Sequence, residues 1–284
     1  MVLTQEFGVA AQLLGANERI EAGDEVGVFV AGGTAGSVDG GASVRVGLPG
    51  GFSLLGGLGG AGEDYGHVKT GATVMLGGAL RYVDDAAGTW RPYAEVGAWG
   101  VPDATFSFSR TYINGAGVAV GQANASADKF YVYGRAGVVI APDEADEGAV
   151  SAEVGHAELR TGAFAETFSA VDPFEAAGGA ASDRLSVAKL RAQWTHALSD
   201  KLEFTAWAAG AYGFDASTGL VAVVDGIGRM TPTRQGQPAW AEYGARLGVK
   251  LGPATTFAVF ADGVSGDQGV GTDVRIGAGL KFGF

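Results

Sequence analysis

Few residues in this 284-residue chain are equipped for bond-making chemistry. Cysteine is absent, which excludes thiolate nucleophiles, disulfide frameworks, zinc fingers and iron–sulfur clusters. Of the three histidines, His67 lies beside Glu63 and Asp64. That is the grouping of an acid–histidine hydrolase at an exposed rim, and equally that of an ordinary solvated loop. His156 falls inside a strand-like run and His196 near the end of another, and no serine is implied beside His156. A serine nucleophile needs a base and a third group to orient it. His-Glu-x-x-His, Walker A and dinucleotide fingerprints are missing. The run Gly56-Gly57-Leu58-Gly59-Gly60 sits mid-strand, where glycine is expected to permit curvature rather than cradle phosphate. These residues predict no enzyme, no cofactor and no metal site.

The charged residues offer a different chemistry, electrostatic holding. Arg81, Arg91, Lys129, Arg135, Lys189, Arg191, Lys201, Arg246, Lys250, Arg275 and Lys281 share one strand parity with Glu95, Glu153, Glu203 and Glu242. Eleven cations against four acids on one face, in a chain of net charge −12, predict an electropositive wall. The remaining acids gather in connections, as at Asp84-Asp85, Asp143-Glu144 and Asp146-Glu147. Such a wall could hold an acidic segment through Glu6, Glu18 and Glu21. With a pI near 4.6 the chain is not expected to bind nucleic acid.

The elements that carry these residues alternate with period two. Val274, Ile276, Ala278, Leu280, Phe282 and Phe284 oppose Arg275, Lys281 and three glycines. Residues 129–140, 201–214 and 238–252 repeat the scheme. A soluble sandwich alternates too. However, these runs reach 10–15 residues and their apolar faces are rich in alanine, which favours tilted strands against lipid. Twelve strands are predicted, at 25–35, 41–48, 52–62, 71–83, 90–102, 127–141, 148–161, 184–198, 201–214, 238–252, 254–263 and 272–284. Short links at 48–51, 84–89, 142–148, 199–200 and 252–253 alternate with long ones near 34–40, 62–70, 103–126, 163–183, 215–237 and 264–271. That asymmetry is the one between periplasmic turns and outer loops. No stretch of 18 uninterrupted apolar residues offers a transmembrane helix, and the first six residues lack the features of a secretory signal.

Residues 4–21 read instead as a helix, with Thr4 as N-cap and Gly23 as stop. About sixteen residues at 1.5 Å each would span ~24 Å, near the ~25 Å apolar band of such a barrel. The expected fold is all-β, a twelve-stranded antiparallel transmembrane barrel (24–284) with an N-terminal α-helix (1–23) threading its lumen. A helix lying outside the barrel is the alternative.

A helix, twelve strands and a terminal Gly279-Leu280-Lys281-Phe282-Gly283-Phe284 together resemble the C-terminal translocator domain of autotransporters (type V secretion) over the whole chain. Trp90–Gly97 and Trp240–Gly248 are similar as well. The resemblance implies a bacterial outer-membrane location among lipid and lipopolysaccharide, and a monomer. It also implies a terminal strand (Ala278, Leu280, Phe282, Phe284) read by the barrel-assembly machinery. A secretory signal and a passenger would precede the helix, so the chain would be an excised translocator domain. Some members cleave their passenger inside the barrel, using paired asparagines and an acidic activator on the wall. Here Asn17 is followed by Glu18, which leaves cyclisation of Asn17 with help from Glu95 or Glu203 as the remaining possibility. The rival function is a free-standing channel for small anionic solutes, with the N-terminal segment as plug.

Overall fold

A computed structural model describes residues 4–20, 23–34, 36–64, 68–84, 88–114, 117–167, 174–219, 221–225, 227–230, 237–267 and 271–284. Helix α1 (Thr4–Leu13) is followed by β1 (Glu25–Gly33), β2 (Val38–Leu48), β3 (Phe52–Asp64), β4 (Val68–Val83), β5 (Trp90–Asn114), β6 (Gly117–Ile140) and β7 (Asp146–Thr161). Two short strands come next, β8 (Phe164–Ala165) and β9 (Ala176–Gly178), then β10 (Ala181–Ser199) and β11 (Leu202–Ser217). The short β12 (Ala222–Val224) and β13 (Gly228–Met230) precede β14 (Ala239–Gly252), β15 (Thr255–Gly266) and β16 (Gly271–Gly283). The twelve longer strands close one barrel in the order β1-β16-β15-β14-β11-β10-β7-β6-β5-β4-β3-β2. Closure runs antiparallel from Glu25 opposite Gly283 to Gly33 opposite Arg275.

The alternation decides which way each strand faces. Val30, Val96, Val154, Leu190 and Ile276 point outward and are exposed, while Phe29, Tyr131, Trp207 and Trp240 point inward and are buried. A sandwich would bury both apolar faces. A closed barrel with exposed valines and leucines has satisfied its backbone internally and needs lipid around it.

The strand ends and loops differ from the sequence expectation. The predicted loop 103–126 is instead the upper half of a hairpin, in which β5 and β6 run 25 and 24 residues. At ~3.3 Å per residue this far exceeds the 9–11 residues a bilayer requires. A bulge between Val101 and Ala104, with Asp103 at φ 53°, reverses the strand's parity where the hairpin leaves the barrel. The connections predicted at 163–183 and 215–237 contain a second sheet, ordered β13-β12-β9-β8. Phe164 meets Phe108 edge-on at 4.8 Å, and Glu166 takes both Arg110 Nε (3.0 Å) and a terminal guanidinium nitrogen (2.6 Å). Burial raises the Glu166 carboxyl, but the hydrogen bonds from Arg110 and the Ala176 N–H outweigh it and hold it below the usual carboxylate range.

The helix is also shorter than expected, ten residues rather than eighteen, or about 15 Å. It ends at Gly15, not Gly23. Gly15 adopts φ +57°, and the Ala16 N–H reaches back to the Ala11 carbonyl at 2.9 Å. This is a Schellman closure, which a left-handed glycine permits. Residues 14–20 continue down the lumen without helix.

Candidate functional site

The lumen is the site, and glycine shapes one side of it. A Cβ on Gly57 would lie 2.8 Å from Leu13 Cδ2, one on Gly41 3.0 Å from the same atom, and one on Gly59 3.2 Å from Val9 Cγ1. Gly57 and Gly59 of β3, with Gly41 of β2, therefore form a groove for α1. On the opposite side, Phe7 sits in an aromatic cup, 5.0 Å from Tyr131, 5.4 Å from Trp99 and 6.3 Å from Trp240, with Lys189 Nζ 4.6 Å above its ring.

Ion pairs and hydrogen bonds fix the segment along its length. Glu6 is paired with Lys129 near the outer end. Gln12 and Asn17 donate to Asp262 at 3.1 and 3.4 Å, and Arg191 donates to Asn17 Oδ1 at 2.8 Å. Arg81 donates to the Leu14 carbonyl at 3.3 Å and pairs with Glu95 at 2.6 Å. Glu18 is paired with Lys281 and lies 3.9 Å from Arg246. Arg19 pairs with Glu203 at 2.6 Å, and the Ile20 N–H donates to Glu147 at 2.9 Å near the periplasmic rim. Glu147 also takes Arg91 at 2.8 Å. Wall-to-wall pairs complete the network, with Arg135 bridging Glu95 and Glu153, and Lys189 bridging Glu242 and Glu153. Lys201 and Lys250 are exposed at the rim, and Glu21 lies outside the described residues.

The wall is far less cationic than parity counting suggests. Asp39, Asp262 and Asp273 are buried within the barrel, as are Glu147 and Arg45. Arg275 joins Asp39 at 2.5 Å to Asp262 at 3.3 Å while crossing over Gly8. Asp262 shares parity with buried Phe260 and could have been found from it. Asp39 and Glu147 fall in stretches that read as loop or turn. Among the described residues the segment occupies the interior, with cavities of about 40, 20 and 10 Å³ beside it.

Asn17 meets Asp262 rather than Glu95 or Glu203, which are committed to Arg81 and Arg19. The histidines form no catalytic centre among the described residues. His67 lies outside them. His156 does meet a serine, Ser186 Oγ at 3.3 Å, contrary to the sequence reading, but no third group orients its ring. His196 pairs with Asp146 at 2.9 Å and stacks on Trp194.

A closed twelve-stranded barrel with an apolar exterior and a peptide-filled lumen is an outer-membrane-type β-barrel. No protein-family model and no curated protein matches the sequence. Among solved structures, the chain is similar to the translocator domain of the autotransporter NalP from Neisseria meningitidis, with a TM-score of 0.71 at 13% identity over 99% of this chain and 95% of that one. It is similar to the β-domain of the Bordetella autotransporter BrkA, with a TM-score of 0.52 at 15% identity over 93% and 99%. The NanC porin aligns with a TM-score of 0.53 at 9% identity over 91% and 100%. The fold is that of autotransporter translocator domains.

Proposed function

We propose that the protein is an outer-membrane translocator that holds the connection to an N-terminal passenger in its lumen and supports the passenger's delivery to the cell surface. The observation that carries this reading is the direction of the luminal segment. Ile20 is held at the periplasmic rim and Glu6 in the outer half, so the segment runs from the outer half down to the periplasmic rim. The work is mechanical and electrostatic. The apolar exterior anchors the barrel, and the ion pairs and hydrogen bonds of the lumen fix the segment. Its partners on this reading are its own passenger, the surrounding lipid and lipopolysaccharide, and the barrel-assembly machinery that would read Ala278, Leu280, Phe282 and Phe284. It acts as a monomer, uses no nucleic acid and catalyses no reaction. A secretory signal and a reporter fused ahead of Met1 should place the reporter within reach of protease on intact cells. A reporter that stays shielded until the outer membrane is broken would sink the proposal.

The porin likeness favours a second reading, a channel for small anions plugged by the same segment. Conductance separates the two. A translocator should be nearly closed as the full chain and open strongly when residues 1–23 are deleted. Steady anion conductance by the full chain would favour the channel.

A further inference from the structure

The outward face of β5, β6, β7 and β10 changes chemistry in a fixed order from the periplasmic rim toward the outside. On β10, half-exposed Trp194 marks the rim, Leu190 follows within the band, and Ser186 and Arg184 end it. Ten residues separate Trp194 from Arg184, about 33 Å of strand, or roughly 25 Å along the axis at ~40° tilt. That is the height of the apolar band, so Arg184 and its neighbour Arg160 stand at the band's outer edge. Their side chains are 57% and 61% exposed, and both are held to one carboxylate. Glu158 takes Arg160 at 3.1 Å, lies 3.6 Å from Arg184, and accepts from Ser182 Oγ at 2.7 Å. Arg160 also lies over the Phe130 ring at 5.4 Å. Asp128, opposite Arg160 in register, accepts the Asp103 N–H at 2.9 Å. Each guanidinium presents five N–H donors in a rigid fork. Glu158 occupies only part of that capacity and pins both forks in place.

Farther out on the same face lies a polar patch, with Lys69 of β4 in register with Ser107 beside it and exposed Val120, Val118 and Ile113 beyond it. Ser107 and Ser109 of β5 stand against Asn124 and Gln122 of β6, and Ser107 Oγ donates to Asn124 Oδ1 at 2.6 Å. A cleft of about 460 Å³ opens here between the hairpin and Ala165 and Thr167, with Lys69, Phe108 and Ala123 also in its lining. Hydroxyl and carboxamide groups of this kind recognise sugar hydroxyls, and the volume is that of a small-molecule site. Apolar band, guanidinium pair and hydroxyl–carboxamide cleft follow the order of acyl chains, phosphate and saccharide in one amphiphile.

We propose that this face binds a phosphorylated glycolipid of the surrounding leaflet, with phosphate on Arg160 and Arg184 and saccharide in the cleft walled by Ser107, Gln122 and Asn124. A chain of net charge −12 repels anionic headgroups at long range, so retention of such a lipid falls to this local pair. The proposal rests on the outer-membrane location above and not on passenger delivery, so its failure would leave secretion untouched.

The test uses the full chain, shown to be folded by a heat-dependent shift on a gel. It is offered in detergent lipopolysaccharide with a core saccharide, the same glycolipid stripped to its phosphorylated diglucosamine, or phosphatidylglycerol. Native mass spectrometry counts the bound molecules. One glycolipid should be retained about tenfold more strongly than phosphatidylglycerol, the scale of a charge-assisted fork. The double variant R160Q/R184Q should lose that advantage. Q122A/N124A should lose only the preference for the core-bearing form. R184Q alone leaves Glu158 paired to Arg160, and should lose several-fold even if the double variant does not fold. Equal retention of phosphatidylglycerol, or wild-type retention by R184Q and R160Q/R184Q, would overturn the proposal. Competition by free core oligosaccharide as strong as by the intact glycolipid would overturn it too, by moving the site to soluble polysaccharide.

Discussion

Arg275 touches three parts of the molecule at once, passing over Gly8 of α1 while neutralising Asp39 and Asp262 from the wall. Removing one partner of a buried ion pair costs about 3–5 kcal/mol, because the other charge is left without water or counterion. Arg275→Leu should therefore lower the temperature at which the folded gel band is lost, whereas Lys201→Leu at the exposed rim should not. Gly57 argues from shape instead of charge. A leucine there cannot share space with Leu13, so Gly57→Leu should displace the segment, raise single-channel conductance and let trypsin cut after Arg19 in the folded barrel. Unchanged conductance and protection would show that the groove can adjust. The sequence displays the glycines and the arginines but not what faces them across the lumen. A glycine facing a helix and a glycine permitting a bend are written identically, and an aspartate next to a predicted strand end carries no sign of its partner 236 residues away.

At the level of elements, Glu166 is one of the contacts that dock the second sheet on the β5–β6 hairpin, beside Phe164 on Phe108, and it makes the docking sensitive to acid. A carboxyl held below its unfolded value stabilises the docked state above that value. The stabilisation disappears as pH falls through the lowered one. Hydrogen exchange at β8 and β9 should accelerate on acidification below about pH 4.5, while the barrel strands stay protected. Glu166→Gln should exchange fast already at neutral pH and lose the dependence. The barrel strands were legible because lipid on one side and paired charge on the other enforce strict alternation. Their outer ends were not, since above the membrane that pressure stops and Thr105–Ser109 can be read as loop. The helix was overextended for a similar reason. The periodic pattern carries on through residues 14–20, yet Gly15 turns left-handed and Arg81, Arg191 and Gln193 draw the carbonyls of Leu14, Ala16 and Glu18 to the wall.

For the whole molecule, the order of synthesis bears on assembly. β1 finds its second neighbour only when β16 arrives, so the barrel closes with β16. Phe282 and Phe284 are exposed at that seam, and the Phe284 N–H donates to the Asp24 carbonyl at 3.3 Å. Deleting Phe284 should lower the amount assembled in cells while leaving refolding in detergent almost unchanged, if recognition outweighs packing. An equal loss in both would assign Phe284 to packing alone. The luminal segment belongs to this scale as well. Ile20 is bound to the wall and β1 begins at Glu25, so a very short stretch of chain joins the plug to its own socket. Such a tether keeps the local concentration of the plug in the millimolar range or above. A synthetic peptide of residues 4–20 would find the socket taken in the intact protein, yet should enter a barrel that lacks residues 1–23. Occupancy is thus set by connectivity more than by intrinsic affinity, and the contacts within need only be good enough to choose a register.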